Sequence, residues 1–81
     1  MATRAKTERY DKRNGTAIRA IREAHGLKQP DVPGITDRQL RRVELGQQSA
    51  TKGTLEALAK AHSLSLEEHV ERVAKAVRAV A

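Results

Sequence analysis

Apolar residues recur along the chain at intervals of three and four in four blocks. Ala17, Ile18, Ile21 and Ala24 form the first. Leu40 and Val43, with Ile35 entering just ahead, form the second. Leu55, Leu58 and Ala59 form the third. Leu66, Val70, Val73, Val77 and Val80 form the fourth. Such spacing gathers each block onto one face of a helix. It predicts a small all-α domain of four to five helices.

The punctuation agrees. Asn14-Gly15-Thr16 offers a start for the first helix, with Asn14 as its cap, and Gly26 ends it. Leu27 follows as a core anchor, while Arg19, Arg22 and Glu23 fall on the wet side. Pro30 suits a first helical turn, and Pro33 disfavours helix at Val32, so residues 28–33 hold one turn or a loop. Thr36 caps the next helix, and Asp37 in its first turn suits the positive end of the dipole. Gly46 is the residue type expected just past a helix end. Gln47 to Thr51 is polar and non-periodic, a loop whose last residue caps the third helix. Ser65 and Glu68 read as a capping box for a final helix over about 65–80. The spacing of its valines is heptad-like. Val70, Val73, Val77 and Val80 can wrap back onto the first helix or pair with a second copy in a homodimer.

Residues 1–13 break the pattern. Arg4, Lys6, Arg9, Lys12 and Arg13 face only Glu8 and Asp11, and Tyr10 is nearly the only apolar body. A segment with so little to bury is expected to be a mobile basic arm, with the domain proper over residues 14–81. Alternatively, Tyr10 packs on the domain and extends the first helix backwards.

On the second helix, Leu40 and Val43 claim one face and leave Arg38, Arg41 and Arg42 mainly away from it. A short helix with three outward guanidinium groups fits the major groove of DNA, because their forks match guanine edges and phosphates. The charge distribution sharpens this reading. The net charge is +6. Residues 1–42 hold 11 Lys/Arg against 5 Asp/Glu, and residues 43–81 hold 5 of each. All the excess positive charge therefore shares one half of the chain with the proposed recognition helix, which points to a polyanionic partner.

Composition narrows the alternatives. A length of 81 residues suits one small domain, and with no Cys, Trp or Phe and one Tyr the core must be aliphatic. There is no disulfide framework and no thiolate metal site. Without a long apolar run or a signal-peptide pattern, a cytoplasmic protein is expected, and no membrane partner. His25, His62 and His69 lack the three-to-five spacing of ligand pairs, so no metal site is expected. No paired carboxylates, nucleophile elbow or glycine-rich phosphate loop appears, so the chain reads as a non-enzyme without cofactor or small-molecule ligand. The last helix is charge-balanced rather than basic, which argues against a membrane surface. RNA would want an aromatic stacking platform, which the chain lacks.

Taken in order, several segments resemble the lambda-repressor/Cro-type helix-turn-helix family. They are Ile18-Arg19 with Ile21-Arg22, Gly26-Leu27-Lys28-Gln29, and Gly34-Ile35-Thr36 through Val43-Glu44-Leu45-Gly46. Thr54-Leu55 through Ala59-Lys60-Ala61 and Leu64-Ser65-Leu66-Glu67-Glu68 continue the match, which covers about residues 15–70. Residues 28–34 are about three residues shorter than the family's second helix, close to one turn of 3.6.

The resemblance implies sequence-specific binding of double-stranded DNA and a transcriptional regulator, a repressor of phage Cro-like or immunity type. It implies base contacts from Asp37, Arg38, Gln39 and Arg42. Phosphate contacts would come from Gln29, Arg41, Gln47, Gln48 and Arg19, with Arg4, Lys6, Arg9, Lys12 and Arg13 supplying the arm. A protein-interaction module such as an antitoxin or antirepressor, or a DNA-bending excision factor, are the other classes the same scaffold serves.

Overall fold

A computed structural model describes the backbone of residues 4–80 and the side chains of residues 9–79. It is all-α: α1 (Arg4–Ala24), α2 (Asp37–Glu44), α3 (Lys52–Ala61) and α4 (Leu66–Val80), with a single 3-10 turn (Gln29–Asp31) between α1 and α2. No strand occurs among the described residues.

The caps lie where their chemistry places them. Thr51 Oγ1 accepts the Thr54 N–H at 3.2 Å. Ser65 Oγ accepts from the Glu68 amide at 3.1 Å, and Glu68 returns the bond to the Ser65 amide at 3.3 Å. The 3-10 turn is the one turn that Pro33 permits. Asp31 accepts the Lys28 N–H at 2.8 Å, and Val32 leaves in extended geometry at φ −99°, ψ 103°.

The core is aliphatic. Ile18, Val32, Leu40, Val43 and Leu58 are fully buried, joined by Ala17 and Val73, with Ile21, Ile35, Leu55 and Val77 packed around them. α4 lies against α1 and α3. Of the two fates open to its valine seam, the chain takes the inward one. Val73 and Val77 belong to the domain's own core, and Val70 alone of the described seam is exposed. The seam that the dimer expectation used is therefore largely occupied within the chain. The Val80 side chain lies outside the described residues.

The expected arm is also corrected. Residues 4–13 form the first half of α1, and Asn14, expected as a cap, sits inside the helix with its Nδ2 donating to the Tyr10 carbonyl at 3.0 Å. This segment has no Gly or Pro, so local propensity permits helix. Tertiary docking against α2, described below, supplies what composition lacked. Residues 1–3 and the Arg4 and Lys6 side chains lie outside the described residues.

The histidines are the largest surprise. His62 and His69 are buried, and with exposed His25 they form a stacked column, with ring centroids 4.6 and 5.2 Å apart and planes inclined by 28° and 20°. All four ring nitrogens of His62 and His69 lack a hydrogen-bond partner among the described residues. No group of three His, Cys, Asp or Glu there is placed to hold a metal ion. Burial, then His69, His25 and Arg22, push His62 from its ordinary 6.5 to about 4. Burial, then His25, push His69 down as well.

An unfolded His62 takes its proton near 6.5 and the native one only near 4, so the unfolded state binds more protons between these values. Stability is therefore full above about pH 6.5 and declines as acid is added. The loss from His62 alone is about 2 kcal/mol by about pH 5. Urea unfolding at about pH 7.5 and about pH 5 should show this fall, and His62→Leu should remove the share that His62 contributes. An equal midpoint at both pH values in the parent would refute the column's sensitivity.

Candidate nucleic-acid interface

α2 is held rigidly at both ends. Thr36 Oγ1 accepts the Gln39 N–H at 3.1 Å, and Gln39 Oε1 accepts the Thr36 N–H at 3.2 Å, a reciprocal capping box. At the far end Gly46 turns left-handed at φ +75°. Its N–H bonds the Val43 carbonyl at 3.1 Å, and the Gln47 N–H bonds the Arg42 carbonyl at 2.9 Å. This pair of bonds closes the helix and satisfies its last carbonyls.

The inner face carries Leu40, Val43 and Glu44, all buried. Arg38, Arg41 and Arg42 are exposed, and among the described residues none of them pairs with a carboxylate. Asp37 is exposed and accepts the Arg38 N–H at 3.0 Å. Of the four base-contact candidates, Gln39 is the one already engaged, since its carbonyl oxygen belongs to the cap while its amide N–H groups stay available.

Arg22 departs from the expected wet side. It is buried, and its Nε and Nη2 grip the two oxygens of buried Glu44 at 2.7 and 2.9 Å. Its Nη1 donates to the Leu27 carbonyl at 2.7 Å. Gln29 Nε2 donates to Glu44 Oε1 at 3.1 Å. One network thus joins the end of α1, the chain after it, the 3-10 turn and α2. The hydrogen bond and charge of Glu44 raise the Arg22 pKa against the opposing effect of burial. Gln29, a phosphate-contact candidate, is half-buried and braces α2 from within.

α1 crosses the C-terminal end of α2 at very short range. A Cβ at Gly15 would lie 2.4 Å from the Val43 carbonyl oxygen and 2.6 Å from that of Glu44. A Cβ at Gly46 would lie 2.7 Å from Lys12 Cα. Only hydrogen fits at either point, so the backbones touch. Asp11 adds a tie by accepting from Ser49 Oγ at 2.8 and 2.9 Å.

These contacts bring Lys12 to the end of α2 beside exposed Gln47 and Gln48. Arg9 and Arg13 are exposed on the same half of α1. Arg19, two turns beyond Lys12, lies on its side of the helix and pairs with Glu23 at 2.7 Å across solvent. An exposed pair of this kind is worth little and exchanges readily for another anion. The arrangement combines α2's outer face, the loop after it and one flank of α1, with Asp37 and Glu23 as its exposed acids among the described residues.

No family model, curated protein or solved structure matches the chain.

Sequence reasoning missed Arg22 and Glu44 as the brace. Both stood on apolar faces, Arg22 four residues after Ile18 and Glu44 four after Leu40, and that placement was the available signal. Removing one partner strands the other charge in the core. Glu44→Ala should therefore cost about 3–5 kcal/mol in urea unfolding, whereas Arg22→Met with Glu44→Leu should restore most of it. A single variant as stable as the parent would show that the pair does not anchor α2.

Proposed function

We propose that this chain binds duplex DNA sequence-specifically and regulates transcription, acting as a repressor, with α2 lying in the major groove. The observation that carries the reading is α2 itself: a rod locked from behind, with three outward guanidinium groups in front. With its side chains an α-helix is about 10–12 Å across, which a major groove about 12 Å wide admits.

In this reading the 3-10 turn and α2 form a helix-turn-helix whose first helix has shrunk to one turn. Arg38 and Arg42 fork onto guanine edges, and Asp37 accepts from a cytosine amine. Gln39 contributes its amide N–H groups to a base edge. Arg41, Gln47, Gln48 and Arg19 take phosphates. Gln29 orients α2 and offers its remaining N–H to the backbone. Arg9, Lys12 and Arg13 act from a helix rather than from a flexible arm, so their charges are fixed relative to α2 and give register as well as attraction. Such a protein works in the cytoplasm.

A second reading, a protein-interaction module, draws on one feature. An apolar hollow of about 530 Å³ between α1, α3 and α4 is lined by Tyr10, Ile18, Leu55, Val70, Val73 and Val77. Gln48 and Ser49 of the loop after α2 also line it, so it borders the basic face.

Selection from a random duplex library separates the two. The DNA reading predicts an enriched sequence, a loss of about 1–3 kcal/mol for Arg42→Ala on it, and relaxed choice at one base pair. Replacing Arg9, Lys12 and Arg13 by Gln should make the salt slope shallower by about 0.9 for each phosphate that is no longer neutralised. No enriched sequence, or an Arg42→Ala variant with unaltered preference, would contradict it.

A further inference from the structure

Leu45 is anomalous. It follows directly on α2, and its N–H still bonds the Arg41 carbonyl at 2.9 Å with helical backbone angles of φ −83°, ψ −4°. Helical geometry therefore fixes where it stands. At about 100° per residue it falls between Arg41 on one side and Arg38 and Arg42 on the other, in the middle of α2's outer face. It is 46% exposed, one of three large apolar residues so open to solvent among those described. Tyr10 and Val70, the other two, line the apolar hollow. Leu45 is not among the residues lining it and has no place in the core cluster.

A half-exposed leucine at the end of a helix face that carries three guanidinium groups calls for a partner that is anionic around an apolar spot. The major groove of DNA offers this combination where a thymine methyl projects between two phosphate backbones. Leu45 also stands within the rod's length, one turn beyond Arg42, so it remains inside the groove when Arg38 and Arg42 reach base edges.

We propose that Leu45 is a specificity-determining residue that packs on a thymine C5-methyl group near one end of the recognition sequence. The proposal rests on the DNA-binding reading and adds to it a base identity at one position. Arginine and aspartate read donor and acceptor patterns, which leaves the methyl as the feature that only an apolar side chain exploits. Its side chain stands outside the core cluster and nearly half of it is open to this contact.

The test is a scan of the enriched duplex in which each thymine is replaced singly by deoxyuridine, which removes only the methyl. One position should weaken the parent protein about threefold to fivefold, the effect of roughly one buried methyl group. Leu45→Ala should bind the thymine and uracil duplexes equally at that position and keep the parent's response elsewhere. Leu45→Met, apolar and of similar length, should retain the sensitivity, and Arg42→Ala should retain it too. A scan without effect at any thymine, or an unchanged scan in Leu45→Ala, overturns this assignment while leaving duplex binding in place. If no duplex sequence is enriched at all, the assignment falls together with the reading beneath it.

Discussion

The buried ion pair between Arg22 and Glu44 is the constraint on which the remaining geometry depends. Two charges taken out of water cost several kcal/mol each unless every donor and acceptor finds a partner. Here the fork of Arg22 meets both oxygens of Glu44, its third donor reaches the Leu27 carbonyl, and Gln29 completes the carboxylate. The pair permits one relative placement of α1, the 3-10 turn and α2. An apolar contact would tolerate sliding, whereas a two-pronged hydrogen bond does not. This placement fixes α2 against α1 although only a single 3-10 turn lies between them.

Two glycines complete the lock. Gly15 and Gly46 let the backbones of α1 and α2 touch where any side chain would collide. As a result α1 is not a passive wall. Its basic flank is rigidly coupled to α2, so the positive surface acts as one body. Ordering such a segment on a polyanion costs less entropy than ordering a loose arm, because folding has already fixed it. Burial keeps His62 and His69 uncharged at neutral pH.

The helix ends and the aliphatic core were legible in the sequence because they rest on local chemistry. Thr36, Gly46, Thr51 and the Ser65–Glu68 box act on groups within a few residues, and Leu40 with Val43 faces inward by spacing alone. The misreadings share a cause: each depends on a partner distant in the chain. Residues 4–13 look disordered because nothing nearby buries them, yet they form helix, and Asp11 and Lys12 within it meet Ser49 and Gly46. Arg22 looks solvated until Glu44, 22 residues later, is brought against it. The three histidines have no periodic relation, and the fold stacks them. The valine seam is not among the misreadings: packing back onto the first helix is one of its two expected fates, and Val73 and Val77 lie with the core. For the interface, the outward arginines were legible. The rigid flank of α1, the engagement of Gln39 in the cap and the exposure of Leu45 were not.

The central claim is that one continuous face, α2 in front and the flank of α1 beside it, meets duplex DNA. The most direct measurement is an NMR titration of ¹⁵N-labelled protein with short random-sequence duplexes at low salt, where backbone contacts dominate. Amide shifts should concentrate at residues 36–47 and along α1 near Arg9, Lys12 and Arg13, while Leu55, Val70 and Val77 on the α3 and α4 side of the hollow stay still. Changes confined to that hollow, or a silent α2, would contradict the account.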